Sequence, residues 1–89
     1  MKILILGAGR VGSSLAEMLV SDDKSDVTVV DTHTDALDNL QERFDLRTVA
    51  GTATSIDVLR DAGIEDADMM VAVTADDEGN LVAWMIMLE

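Results

Sequence analysis

The chain has 89 residues and a formal net charge of −12, with 18 Asp and Glu against 6 Lys and Arg. This length matches one domain or part of one, and a hydrophobic content of 48% excludes a disordered tail. The negative charge creates an unfavourable field for polyanions, so we expect no binding to nucleic acid. The acidity fits either a cytoplasm of high salt or an ordinary acidic protein.

Residue types limit the chemistry further. The chain has no Cys and one His, His33, which excludes disulfides, thiolate metal sites, cysteine nucleophiles and a histidine-based metal cluster. No apolar run reaches the ~18–20 residues of a membrane span, and the apolar start at 3–6 is too short for a signal peptide. We therefore expect a soluble, intracellular protein without a metal site.

Short β-branched runs alternate with helical patterns along the chain, a pattern typical of a parallel sheet with crossover helices. The predicted strands are Lys2–Leu6, Asp26–Asp31, Arg47–Ala50 and 68–74. The inward faces of the helices between them are predicted to carry Val11, Leu15, Met18 and Leu19, then Leu37, Leu40 and Phe44, then Ile56, Leu59 and Ala62. Ser55 is a plausible N-cap of the third helix, and Gly63 a plausible stop after it.

A fourth helix is predicted after the last strand. Its first turn would hold Asp77 and Glu78, which are helix-start charges first and ligand contacts second. The run 81–88 is apolar all round, so another surface is expected to cover it.

Right-handed crossovers predict the sheet order 3-2-1-4, with the topological switch point between strands one and four. The predicted fold class is therefore α/β, a Rossmann-like doubly wound parallel sheet with flanking helices, of which only the first half is present. We expect residues 1–89 to form a single truncated domain.

The motif GAGRVG follows the first strand directly and opens the first helix. Backbone N–H groups and the positive end of the helix dipole meet there, which suits a diphosphate. Gly7 would allow the tight turn, Gly9 the approach of the phosphates, and Gly12 close packing of the helix on the sheet. Because glycine-rich turns occur in many folds, the motif alone is weak evidence for a nucleotide site.

A carboxylate follows the motif at the expected distance. Asp31 ends the second strand, 19 residues beyond Gly12, close to the ~20 of the dinucleotide-binding fingerprint. In that place a carboxylate accepts hydrogen bonds from ribose hydroxyls and repels a 2′-phosphate. The pair of signals favours NAD-like or adenosine ligands over NADP.

Other residues of the predicted site have two interpretations each. Arg10 could reach a phosphate or point to solvent, and Thr52 and Ala53 could lie beside an adenine or form an ordinary loop. Thr74, which ends the predicted fourth strand, and Ala75 beside it lie across the switch point and can touch the diphosphate or the second ribose. His33 is either an exposed loop residue or a contact of the adenosine.

Several pieces together are more specific than the glycines: MKILILGAGRVG, VTVVD, FDLRTVAGTAT, VLRDAG and EDADMMVAVTADDEGN. From Met1 to about Ala83 the chain resembles the N-terminal nucleotide-binding domain (KTN or RCK domain) of Trk-type potassium-uptake regulatory proteins. The resemblance implies a cytoplasmic regulatory module that binds NAD(H), or ATP or ADP in some members, without catalysis. It also implies a membrane potassium-translocating subunit as partner, at the inner face of the membrane.

The resemblance carries the following cofactor-binding set onto this sequence, with no catalytic and no metal-binding residue: Gly7, Ala8, Gly9, Arg10, Val11, Gly12, Asp31, Thr32, Thr52, Ala53, Thr74 and Ala75. The family domain continues through two further strands beyond residue 89, so contacts to the nicotinamide end are not assigned. Strand four would then be an exposed edge, and we expect a homo-oligomer through this edge and the last helix.

Two other functions remain open at this stage. The chain could be the cofactor-binding half of an NAD-dependent oxidoreductase, whose acid or base would come from a second domain. It could also be an assembly element that has lost its ligand.

Overall fold

The computed structural model describes the backbone of residues 1–75 and 81–88 and the side chains of residues 1–73 and 85–88. In chain order, the described elements are β1 (Lys2–Leu6), α1 (Arg10–Val20), β2 (Asp26–Asp31), α2 (Thr34–Arg43), β3 (Arg47–Ala50), α3 (Ile56–Asp61), a 3-10 turn (Ile64–Asp66), β4 (Met69–Ala75) and β5 (Leu81–Met87).

The strands form one sheet in the order β3-β2-β1-β4-β5. β1, β2, β3 and β4 pair in parallel, with Ile3 opposite Val27 and Met69. The predicted order 3-2-1-4 and the Rossmann-like α/β class are thereby confirmed. The carboxyl ends of these four strands meet at one edge of the sheet, with the switch point between β1 and β4.

Both faces of the sheet are covered by helices. On one face α1 and α2 pack on Ile5, Val29 and Val71, and Ile5 and Val29 are completely buried. On the other face α3 and the 3-10 turn pack on Leu4 and Val30. In the runs KILIL and DVTVVD, apolar residues point to both faces of the sheet, because each of these strands is covered by helices on both sides.

Local signals explain where α3 begins and ends. The Ser55 side chain accepts a hydrogen bond from the amide N–H of Val58 at 3.4 Å, which is the N-cap arrangement. Gly63, at φ +90°, lies just beyond the C-cap Ala62, in the left-handed conformation that ends many helices.

The predicted fourth helix is wrong where it is described. Leu81–Met87 is β5, an antiparallel strand along the whole of β4 that pairs Met69 with Met87 and Ala75 with Leu81. A continuous apolar run of this length has no period that separates strand from helix, and pairing satisfies the backbone groups at the edge of β4. The predicted helix start, with Asp77 and Glu78, lies outside the described residues.

The two premises of the predicted oligomer surface, an open edge of β4 and a last helix, are wrong for the same reason. β5 occupies the edge of β4 that was expected to be open, and the last helix that was expected to take part is a strand. Met85, Ile86 and Met87 on β5 are exposed.

Among residues 1–75 and 81–88, no helix has the length and apolar character that crossing a bilayer requires.

Candidate functional site

The turn between β1 and α1 lies at the carboxyl edge of the sheet, at the switch point. Its first residue, Gly7, has φ +120° and donates its amide N–H to the carbonyl of Val30 on β2 at 2.8 Å. On the other side, a Cβ at Gly7 would lie 2.5 Å from the carbonyl oxygen of Val73 on β4. Gly7 is therefore required both by the backbone conformation and by the space between β2 and β4.

Gly12 is required by packing alone. It is buried in the first turn of α1, and a Cβ there would lie 2.9 Å from the carbonyl carbon of Gly7 and still closer to its oxygen. Real Cβ atoms essentially never come so close to a backbone atom. The absence of a side chain at Gly12 lets α1 begin directly against the β1 turn.

Gly9 differs from the other two glycines. A Cβ at Gly9 would meet no atom of the described residues within 4 Å, and its φ of −71° with ψ of −166° is an extended conformation open to any residue. Neither the backbone nor the packing described for the chain requires a glycine here. Within residues 1–75 and 81–88, nothing fills the space over Gly9 at the point where α1 begins.

The N-terminus of α1 presents unpaired donors next to this open space. Gly9 is its N-cap, no side chain caps the helix, and its first turn has no acidic residue. The first-turn N–H groups of a helix have no intrahelical acceptor and carry the positive end of its dipole. Arg10 is exposed at the first helical position and Val11 is half-buried. This arrangement suits an anion.

Asp31, the last residue of β2, contacts the glycine turn directly. Its Oδ2 accepts a hydrogen bond from the amide N–H of Ala8 at 2.7 Å. Burial alone would raise the pKa of the Asp31 carboxyl, but the amide N–H groups of His33 and Ala8, together with the His33 ring, hold its pKa below the ordinary value. Asp31 is therefore ionised at neutral pH and acts as a hydrogen-bond acceptor only.

His33 forms a contact that the sequence interpretation did not include. Asp31 Oδ1 accepts a hydrogen bond from the His33 amide N–H at 2.8 Å and lies 2.7 Å from Nδ1 of the ring. The Asp31 side chain is 15% exposed and the His33 side chain 82%. An Asp that accepts from the amide two residues later is a common turn arrangement, so the spacing of Asp31 and His33 after a strand was the available signal.

The remaining residues of the predicted set lie at the same edge. β3 is tied to the end of β2 by the Gly51 amide N–H, which donates to the Asp31 carbonyl at 3.0 Å. Thr52 and Ala53 follow in an exposed turn, and Thr32 is exposed beside Asp31. The backbone of Thr74 and Ala75 ends β4, next to the Val73 carbonyl that adjoins Gly7. The ends of the four parallel strands thus lie along the edge of the sheet at which α1 begins.

A cavity of about 670 Å³ lies at the opposite edge of the sheet, where the strands begin. Lys2 and Arg47 are among its lining residues, but carboxylates outnumber them. Because these negative charges repel phosphate, the cavity does not compete with the glycine turn as an anion site.

Curated proteins of similar sequence cover most or all of the chain. It is 61% identical over 83 residues to "Trk system potassium uptake protein TrkA" of Haemophilus influenzae, covering 93% of this chain and 18% of that protein. It is 55% identical to the protein of the same name from Halomonas elongata over 97% of this chain and 19% of that protein. The "Trk system potassium uptake protein TrkA homolog" of Methanothermobacter thermautotrophicus is 37% identical over all of this chain and 41% of its own length.

The chain thus spans about a fifth of the two longer relatives and about two fifths of the third. A family model, the TrkA-N domain, matches residues 3–89. The matched range includes the glycine turn, Asp31 and all described strands, except that it begins one residue after the start of β1. The chain belongs to the TrkA-N domain family.

Proposed function

We propose that this chain is a nucleotide-binding regulatory module of a potassium uptake system, with NAD(H), ATP or ADP held at the carboxyl edge of the sheet. The observation that carries the proposal is the open space over Gly9, a glycine that the described chain itself does not require. A side chain there would extend over the unpaired N–H groups of α1, where a diphosphate would approach.

Each part of the ligand has residues of matching chemistry. The backbone from Gly7 to Gly12, with Ala8, Arg10 and Val11 between them, would hold the diphosphate. Asp31 is an ionised acceptor for ribose hydroxyls and disfavours a 2′-phosphate. In this proposal Thr32, Thr52 and Ala53 border the adenosine, and Thr74 and Ala75 border the diphosphate and second ribose.

The link to potassium uptake is supported by the names of the similar proteins, which refer to potassium uptake by a Trk system. In this proposal the whole protein is cytoplasmic and lies at the inner face of the membrane, against a potassium-translocating membrane subunit. A nucleotide can control that partner only by binding two arrangements of the protein with different affinity. No catalysis is proposed for this chain.

The test is the thermal stability of the chain with and without NAD, NADH, NADP, ATP and ADP. A ligand at 100 times its Kd stabilises the folded state by about 2.7 kcal/mol, which raises Tm by about 10–20 °C in a domain of this size. We expect a rise with at least one of NADH, ATP and ADP, and a smaller one with NADP than with NADH.

Two variants identify the site. Gly9→Val fills the space over the α1 N-terminus and should abolish the rise, and Asp31→Asn should weaken the response to NADH more than the response to NADP. Asp38→Asn, at an exposed position on α2, removes the same charge away from the site and should respond like the unmodified chain. Absence of any rise, or an unchanged rise in Gly9→Val, would contradict the proposal.

A further inference from the structure

The carboxylate proposed to bind ribose is already occupied by a side chain of the protein. We infer that the His33 imidazole competes with the ribose hydroxyls for Asp31 and lowers the affinity for adenosine ligands until it is displaced. This inference rests on the proposed function, and it assigns to His33 the role of a residue that sets affinity at the ribose.

The hydrogen bonds to Asp31 leave little room for a second ligand. Oδ2 accepts from the Ala8 amide, and Oδ1 accepts from both the His33 amide and the His33 ring. A carboxylate has about four acceptor positions, two on each oxygen. Three of these are filled, and both positions on Oδ1 are among them. A ribose that donates both hydroxyls to Asp31 needs two acceptor positions and only one is free, so one of the present donors has to leave.

The ring of His33 is the donor that can leave most easily. The amide donors of Ala8 and His33 belong to the turn after β1 and the start of α2, which are held in place by packing. The His33 side chain is 82% exposed, and its hydrogen bond in the described structure is to Asp31. Rotation of this ring about its side-chain bonds disturbs no part of the core, and exposed side chains rotate rapidly.

The contact also defines the protonation of the ring. Because the ionised carboxylate only accepts hydrogen bonds, Nδ1 must carry a proton while it faces Oδ1. A neutral imidazole freed from such a partner favours the proton on Nε2 instead. His33 is the only His in the sequence, so the nitrogen spectrum of one imidazole reports whether the contact exists.

The first experiment compares ADP with 2′,3′-dideoxy-ADP, which lacks both ribose hydroxyls. Dissociation constants of both ligands are measured by calorimetry for the unmodified chain, His33→Ala and His33→Asn. His33→Ala removes the competitor and should bind ADP about two- to fivefold more tightly, the range expected for loss of one exposed side-chain contact. Its affinity for the dideoxy ligand should be unchanged, because that ligand does not need the acceptor.

His33→Asn is the matched control. Its side-chain amide nitrogen is attached to Cγ as Nδ1 is, so it can donate to Asp31 from nearly the same place and should bind ADP like the unmodified chain. The His33 side chain makes no capping hydrogen bond to α2, and both variants are therefore expected to fold, which their unliganded Tm checks.

The second experiment records the ring nitrogens of His33 by NMR at neutral pH while ADP is added. We expect the Nδ1–H form without ligand and a shift towards the Nε2–H form at saturation, with no such shift for the dideoxy ligand. Equal ADP affinity in His33→Ala and the unmodified chain, an equal gain for both ligands, or ring nitrogens that ADP leaves unchanged would overturn the inference while nucleotide binding stands. If none of the three proteins binds ADP, ATP or NADH, the proposed function fails and the inference fails with it.

Discussion

Replacement of Gly9 and of Gly12 by Ala should have opposite consequences, although both glycines belong to one motif. In Gly12→Ala, the new methyl group lies 2.9 Å from the Gly7 carbonyl carbon and closer to its oxygen. The overlap is with backbone, so α1 and the β1 turn must separate. Overpacking of this kind costs about 1–3 kcal/mol or more, and the helix propensity of Ala recovers about 1 kcal/mol. Because backbone cannot move aside as a side chain can, the upper end of about 3 kcal/mol applies, and the net loss should be about 2 kcal/mol.

In Gly9→Ala, the methyl group enters open space. Ala is a poorer N-cap than Gly, a loss of up to about 1 kcal/mol, and the less flexible unfolded chain offsets about 0.4–1 kcal/mol of it. The free energy of unfolding should therefore stay within about 1 kcal/mol of its original value.

The measurement is urea and thermal unfolding of the two variants and the unmodified chain, followed by circular dichroism without nucleotide. A loss of 2 kcal/mol corresponds to a fall in Tm of about 8–16 °C for this size, and Gly9→Ala should show at most half of it. If Gly9→Ala is destabilised as much as Gly12→Ala, the glycine at position 9 serves the fold. The argument that it leaves room for a ligand would then be refuted.

Three further variants test other parts of the structure. Asp31→Asn should be destabilised near neutral pH. This loss of stability should shrink as the pH falls below about 3.8, because the Asp31 carboxyl, whose pKa is lowered in the folded state, stabilises the fold only while it is ionised. Urea titrations of the variant and the unmodified chain from about pH 6 to about pH 3 measure the difference in their free energies of unfolding. Ser55→Ala loses the cap of α3 and should cost about 1 kcal/mol in urea unfolding, whereas a change below about 0.3 kcal/mol would mean that the 3.4 Å hydrogen bond does not stabilise the helix. Leu40→Ala opens a cavity at a residue that is 1% exposed and should cost about 2–5 kcal/mol, whereas Met18→Ala, at 72% exposure, should change stability by less than about 0.5 kcal/mol.

The first three strands have the bounds that the sequence predicts. Lys2–Leu6, Asp26–Asp31 and Arg47–Ala50 are short runs rich in apolar and β-branched residues, and turn residues or a helical pattern follow each of them. Such signals are local, so one sequence suffices to find them. The strand order follows from the handedness of crossovers, which is a general property of parallel sheets.

The end of the chain could not be predicted in this way. The seven residues of Leu81–Met87 are apolar without a period, so their pattern does not separate strand from helix. Pairing with the edge of β4 decides their conformation, and the other edge of β4 pairs with β1, a strand distant in sequence. The contact of Asp31 with His33 is local but depends on a side-chain rotamer. A residue pattern indicates what each side chain offers a ligand, whereas the contact between the Asp31 and His33 side chains is visible only in the structure.

The hydrogen bond from the Ala8 amide to Asp31 joins two regions that a dinucleotide would occupy with different parts of its length. Groups that share a hydrogen-bond network respond to substitution in a coupled, non-additive way. A substitution at the end of β2 is therefore expected to alter ligand binding at the N-terminus of α1, and a substitution in the glycine turn to alter binding at Asp31. For the same reason the binding energies of adenosine and of pyrophosphate, measured as separate fragments, are not expected to sum to that of the joined molecule.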